Sequence, residues 1–319
     1  MGENRIPKIT VIGGGSGRFT LLEGLKEFPV EISAIVGMAD SGGSSGRLKS
    51  ELGVLPPGDV RQCLVALSTS PKVMLDLFNY RFKDRSLSGH SFGNLFLTAL
   101  EKTTGSFEKA VEEAEKILAI KGKVIPVTLD KSELFAELED GTVLEGETSI
   151  DVPKRERAKI KRAYLNPQAK ATQAALTCIK DADLVVIGPG DLYTSIVPNL
   201  LVRGITDALK KSLAKKVFVL PLATKHGETD DMGAGELISE TEKYAGCEMD
   251  CVISNNKKFS AELEERYFRT NAKQLPANAN DGGRKIIARD LLLESGGLAR
   301  HHPEKTASAV LSCLDGMVK

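Results

Sequence analysis

Two glycine-serine turns hold the residues of this chain best suited to chemistry. Gly13-Gly14-Gly15-Ser16-Gly17 directly follows Lys8-Ile9-Thr10-Val11-Ile12, and Ser41-Gly42-Gly43-Ser44-Ser45-Gly46-Arg47 directly follows Ile35-Val36-Gly37-Met38-Ala39-Asp40. Glycines let the backbone take left-handed conformations, so successive N–H groups can turn into one concave site and approach an anionic oxygen with no Cβ in the way. A helix after such a turn adds the partial positive charge of its N-terminus. The layout predicts phosphate binding, and Arg47 adds a guanidinium able to grip phosphate through two parallel hydrogen bonds. Asp40 ends the second strand about where a nucleotide-binding fold places its ribose-binding acid.

A third turn, Gly188-Pro189-Gly190-Asp191-Leu192-Tyr193-Thr194-Ser195, follows the apolar run Leu184-Val185-Val186-Ile187. It is expected at the carboxyl edge of a sheet, where Gly190, Asp191, Tyr193, Thr194 and Ser195 can meet phosphate, ribose or sugar hydroxyls. In Gly89-His90-Ser91-Phe92-Gly93-Asn94, His90 and Asn94 either face a ligand or cap the helix that begins near Ser91. Arg300 and His302, just ahead of a helix entering at Pro303, can offer a cation to the ligand. Taken alone, Gly13-x-Gly15-x-x-Arg18 departs from the dinucleotide fingerprint, because arginine replaces the third glycine. No Walker lysine occurs, and no activated nucleophile is nominated. Cys247, Cys251, His301 and His302 follow no zinc-ligand spacing.

The elements that must hold these turns alternate short apolar strands with amphipathic helices, which predicts a doubly wound, mainly parallel sheet covered on both faces. Strands are expected over 8–12, 31–38, 183–187, 216–220, 250–253 and 285–288, with helices over 17–28, from Asp59 (as a cap), across most of 71–118 and from Pro303. Between 121 and 165 the rhythm changes: 134–139 and 142–147 flank Asp140-Gly141, a dipeptide suited to a hairpin turn, so a small antiparallel insertion is expected within one domain spanning 1–319. Lys154, Arg155, Arg157, Lys159, Lys161 and Arg162 make its far end basic, which is either a solvated face or a partner surface. Lysine plus arginine equal aspartate plus glutamate at 43 each, arguing against a nucleic-acid partner. No apolar run approaches the roughly 20 residues that span a bilayer. Five cysteines without a framework spacing point to a reducing cytoplasm.

The run Ala39 to Leu48, together with Leu55-Pro56-Pro57-Gly58-Asp59-Val60-Arg61-Gln62-Cys63-Leu64, resembles the family that joins the bacterial gluconeogenesis factors (YvcK-like proteins) to phospholactate transferase, the CofD-like enzyme of coenzyme F420 synthesis. The resemblance continues in order through Phe78-Asn79-Tyr80-Arg81-Phe82, Gly89 to Asn94, Ala136 to Gly141, Gly188 to Ser195 and Arg300-His301, nearly the whole chain. With no tryptophan, and with Phe78 to Asn94 lacking the aromatic and acidic pattern suited to a flavin, it looks like the gluconeogenesis-factor branch. That branch implies a binder of UDP-activated sugars acting in gluconeogenic growth, cell-wall synthesis and cell shape. It also implies that Arg300, matching the family's C-terminal arginine, contacts phosphate or sugar. Ser41 stands where many members carry a second aspartate, leaving Asp40 to meet ribose, base or a hydrated Mg²⁺.

The expected ligand is a nucleotide sugar or other nucleoside diphosphate, with Mg²⁺ as its companion ion and no cofactor required. Gly13 through Gly17, Asp40, Ser41 to Ser45, Arg47, Asn94, Gly190, Asp191, Tyr193, Thr194, Ser195 and Arg300 are expected to line its site. A homo-oligomer and a regulatory protein partner are the expected assemblies. Two competing readings stand beside this one: a CofD-like transferase, with Asp40 as metal ligand or base, and a nicotinamide-dependent oxidoreductase suggested by the position of Asp40.

Overall fold

Short runs of leucine and β-branched residues that are apolar on both sides suit strands buried between two helical layers. In chain order the strands are β1 (Lys8–Gly13), β2 (Glu31–Val36), β3 (Lys123–Pro126), β4 (Glu133–Leu138), β5 (Val143–Glu145), β6 (Ile160–Asn166), β7 (Leu184–Ile187), β8 (Lys215–Val219), β9 (Cys251–Asn255), β10 (Lys285–Arg289), β11 (Leu292–Ser295) and β12 (Leu298–His301). The computed structural model describes residues 5–83, 85–153, 155–275 and 284–314. Seven strands form one sheet in the order β10-β9-β8-β7-β1-β2-β3, every neighbouring pair parallel. This is the Rossmann-like, doubly wound α/β fold. The period-two alternation of side chains splits the core: Ile9, Val11, Leu184 and Val186 pack into one layer, and Ile12, Ile35, Val185 and Ile187 into the other.

From β1 the chain winds outward to β2 and β3, then returns to β1's other side with β7 and winds the opposite way. The reversal opens a crevice between the carboxyl ends of β1 and β7, the place where such sheets bind ligands. Two of the glycine turns leave from these two strands.

Several expected elements are displaced. The first helix runs Gly15–Leu25, earlier at both ends than 17–28. Lys123–Pro126, inside the segment read as an insertion, pairs parallel with β2 as the edge of the main sheet. The antiparallel excursion begins at β4, which pairs with β5 across the Asp140-Gly141 turn and with β6 along its other edge. Glu147, read as part of a hairpin strand, opens the short helix Glu147–Asp151. Asp59 is not a cap: the helix Gly58–Leu67 has Pro57 at that position, and Asp59 lies in its first turn. Of the basic end, Lys161 and Arg162 both bond Glu137 at 2.7 Å, while Lys154 lies outside the described residues.

The closing helix Pro303–Leu311 lies against Gly15–Leu25, and the contact is so close at Gly24 that an added Cβ would stand 2.1 Å from the Pro303 carbonyl oxygen. That packing fixes the short antiparallel hairpin β11 to β12, and with it Arg300, over the crevice. No helix among the described residues is long and apolar enough to cross a membrane.

Candidate functional site

β1 delivers Gly14 in an extended conformation to the start of the Gly15–Leu25 helix, which no side chain caps. Its first N–H groups are therefore left for a ligand or water. Gly15 has φ of +66°, in the left-handed region that favours glycine. Gly14 and Gly17 are small for a different reason: a Cβ would stand 3.0 Å from Ser195 Cα at Gly14 and 2.9 Å from the Pro189 oxygen at Gly17. The glycines thus let the turns after β1 and β7 lie against each other. Arg18, in place of the fingerprint's third glycine, is wholly buried, donates to the Gly13 carbonyl and to the Asp59 carbonyl at 3.3 Å, and pairs with the Asp59 carboxylate at 3.5 Å.

Two adjoining cavities open at this junction and share Gly15 and Ser195. The first, about 280 Å³, brings Gly14 to Gly17, Gly190, Asp191 and Ser195 together with Lys225 and Arg300. Its donors are a helix N-terminus, a hydroxyl and two cations, a set that suits an anion. Burial works to lower the Lys225 ammonium, but Asp191, Asp151 and Glu228 outweigh it and hold the pKa above the usual lysine value. The Lys225 nitrogen lies 2.8 Å from Asp151 and 3.7 Å from Asp191. His301, beside Arg300, is bonded through Nε2 to the Leu220 carbonyl at 3.1 Å, and burial pushes it down to about 4, so it is neutral at pH 7.

The second cavity, about 190 Å³, is acidic: Asp40, Asp59 and Glu147 line it with Thr194, Ser195 and Asn199. Burial first, and then the neighbouring Asp59, raise the Asp40 carboxyl, although it accepts the Gly42 N–H at 2.9 Å. Burial and then Asp40 push Glu147 up to about 7. Beneath the junction, Glu228 accepts from the Tyr193 N–H and from the Thr194 hydroxyl, both at 2.8 Å, and so fixes the turn after β7.

The remaining expected site residues lie elsewhere. In the cradle foreseen from Ser41 to Arg47 the side chains of Ser41, Ser44 and Arg47 make internal bonds, while the helix Gly43–Leu52 starts there without a side-chain cap. Ser41 accepts from the Thr148 N–H at 3.1 Å, Ser44 meets His90 Nδ1 at 3.0 Å, and Arg47 donates to the Ser88 carbonyl at 2.5 Å. Asn94 is 3 % exposed, donates to Ser44 at 3.1 Å and to Ser45 at 3.5 Å, and accepts from Arg61 at 3.1 Å. Tyr193 bonds Glu240 at 3.1 Å and lines a separate cavity of about 680 Å³. Among the described residues, a tight group of candidate metal ligands is Asp151, Asp191 and Glu228, none of them from the cysteine and histidine sets. Lys225 already supplies that group with a positive charge.

Sequence reasoning passed over Asp59, Glu147, Lys225, Glu228 and Asn199. Asp59 has the look of a helix cap and Glu147 of a solvated strand face. Asn199 alone carried a signal, as the polar residue within Ile196-Val197-Pro198-Asn199-Leu200-Leu201.

Comparison with known proteins shows the family to which the chain belongs. The family profile described as 2-phospho-L-lactate transferase CofD matches residues 9–292. A protein of Halalkalibacterium halodurans named gluconeogenesis factor is 41% identical over 95% of this chain and 95% of its own length. The Bacillus subtilis protein of the same name is 40% identical over 97% of this chain and 98% of its own. The X-ray crystal structure of a Bacillus halodurans protein superposes with a TM-score of 0.92 at 40% identity, covering 96% of this chain and all of that one.

Proposed function

This chain belongs to the CofD family, and from that premise we propose that it is a cytoplasmic regulatory protein binding a nucleotide sugar of the UDP-N-acetylglucosamine kind, in the service of gluconeogenic growth, cell-wall synthesis and cell shape. One observation carries the reading: the Gly15–Gly17 helix start, Ser195, Lys225 and Arg300 surround one cavity, and an acceptor-lined cavity adjoins it. A diphosphate asks for N–H groups, hydroxyls and cations. Ribose and sugar hydroxyls ask for the carboxylates and amide next door. The relatives named gluconeogenesis factor support the regulator branch over the transferase.

Mg²⁺ bound with the ligand belongs to the same proposal. Asp40, Asp59 and Glu147 offer a set of hard oxygen donors whose buried members gain from a neighbouring positive charge. Their spread suits an ion that keeps several of its own waters. Asp40 and Asp59 would hold it, with Glu147 accepting from its hydration shell, and it would offset the diphosphate's charge.

Calorimetry with UDP-N-acetylglucosamine, GDP, NAD⁺ and a nucleoside-diphosphate lactate analogue, with and without Mg²⁺, tests the reading. Selective UDP-sugar binding is expected, weakened at least about tenfold in Arg300→Ala, as suits loss of a charge-assisted phosphate contact. Preference for the lactate analogue, with turnover that Asp40→Asn abolishes, would establish the transferase instead. That second reading is favoured by Glu147 alone, whose carboxyl ionises near pH 7 beside Asp40 and is matched to a general base.

A further inference from the structure

Asn199 is 1 % exposed and stands at the wall of the acidic cavity, in the short helix Val197–Leu200 that follows the turn after β7. Its amide is not free to rotate. Nδ2 donates to the Ser195 carbonyl at 2.9 Å and to the Gly13 carbonyl at 3.4 Å, one residue from each of the two abutting turns. A flipped amide would set an oxygen against two carbonyl oxygens, so Oδ1 is committed as an acceptor. That oxygen is buried without a hydrogen-bond partner. A buried acceptor left unpaired is costly, so such a group in a folded protein marks a place for a donor brought by a water, an ion or a ligand. Gly37 leaves the amide uncovered: a Cβ there would stand 3.3 Å from Nδ2 and 3.4 Å from Oδ1.

The same cavity holds Asp40, which lies in the loop four residues past the end of β2 rather than on the strand itself, in the region where doubly wound folds place the acid that accepts from ribose. Two acceptors, one charged and one neutral, then face one pocket. We infer that Asn199 is a specificity-determining residue whose Oδ1 accepts a hydrogen bond from a ribose hydroxyl of the bound nucleotide, with Asp40 accepting from the other. The inference rests on the nucleotide-sugar reading and adds to it a requirement for a ribose rather than a deoxyribose. It also explains why an asparagine is buried within an otherwise apolar helix.

The test uses the intact wild-type protein and three ligands: UDP-N-acetylglucosamine and its 2′-deoxy and 3′-deoxy ribose analogues, titrated by calorimetry in EDTA and again in Mg²⁺. Loss of one hydroxyl is expected to weaken binding about tenfold in both buffers, the scale of one hydrogen bond and the acceptor left unpaired. Asn199→Ala, verified as folded by its thermal melt, is expected to bind the parent as weakly as that deoxy analogue and to lose the discrimination between them. Equal binding of all three ligands by the wild type overturns the inference, as does an Asn199→Ala protein that still discriminates. Discrimination seen only in Mg²⁺ also overturns it, because the donor is then a metal-bound water. Should Asn199→Ala fail to fold, Asn199→Ser takes its place with the same expectation, and a wild-type series in EDTA without discrimination still overturns the inference. Failure of the wild type to bind any UDP-sugar is a separate result, and it removes the nucleotide-sugar reading itself.

Discussion

Glu228 is the residue on which the site's pH behaviour turns, because its carboxyl sits buried while serving two donors. Burial, then Asp191, push it up to about 8 from an ordinary 4.5, and burial with Asp40 pushes Glu147 to about 7. The folded chain therefore binds protons that the unfolded chain has released, and each group makes stability fall as pH rises between 4.5 and its folded value. His301 works the other way below pH 6.5, since its folded pKa of about 4 leaves the unfolded chain with the extra proton there. The clear window is thus 6.5 to 8. In that window the urea midpoint of the ligand-free protein is expected to fall, and Glu228→Gln to remove most of the slope. The glutamine keeps both contacts, accepting from the Tyr193 N–H and donating to Thr194, and at about pH 8 should exceed wild type by at least about 1 kcal/mol. A wild-type midpoint unchanged between pH 6.5 and 8 would contradict the assignment of a raised Glu228.

At the scale of elements, the helix pair Gly15–Leu25 and Pro303–Leu311 links stability to binding. Gly24→Ala places a methyl within 2.1 Å of the Pro303 oxygen, and the closing helix must shift to make room. Overpacking of this kind costs about 1–3 kcal/mol or more, and it moves β12 and Arg300 away from the anion cavity. Chemical denaturation should report the loss, and nucleotide affinity should fall with it although Gly24 is not among the residues of that cavity. A Gly24→Ala protein with wild-type affinity would mean that the hairpin is positioned by other contacts. Legibility in the sequence follows the same physics. β1, β2 and β7 to β9 could be read because strands inside the sheet, covered on both faces, are largely apolar, and the edge strand β10 could be read from Ile286-Ile287-Ala288. β3 could not, being only four residues at an edge, nor could β12, whose Leu298 is 41 % exposed. The strand order was unreadable because it is set by which crossovers pass in front of which, and not by any residue pattern. Ser44, Ser45, Arg47 and Asn94 were legible as polar and convergent, but not as mutual partners: Asn94 lies 50 positions from Ser44, and only the fold brings their side chains within 3.1 Å. Conversely Asp59 and Glu147 looked ordinary because a carboxylate's role depends on which cavity it enters.

For the molecule as a whole, the cleft is assembled from pieces that lie far apart in the chain. The start of the first helix, the loop after β2, the turn after β7, the loop after β8 and the strand before the last helix each contribute a wall. A ligand filling both cavities therefore contacts both halves of the doubly wound sheet, and its binding free energy becomes stability of the entire fold. At a nucleotide-sugar concentration about 100 times Kd the gain is about 2.7 kcal/mol, which for a chain of 319 residues corresponds to a rise of about 4 °C in melting temperature. Differential scanning calorimetry of wild type with UDP-N-acetylglucosamine should show that rise as a shift of one transition, because no separate half is left unliganded. Arg300→Ala at the same ligand concentration should show a smaller one. Inorganic phosphate separates the two cavities, since it can occupy the cationic one and offers no hydroxyls of a sugar to the acidic one. If phosphate alone reproduced the full shift, the acidic cavity would contribute nothing to binding and the site would be a simple anion site. If phosphate gave a small part of the shift and the nucleotide sugar the rest, the two cavities act as one cleft across the switch point of the sheet.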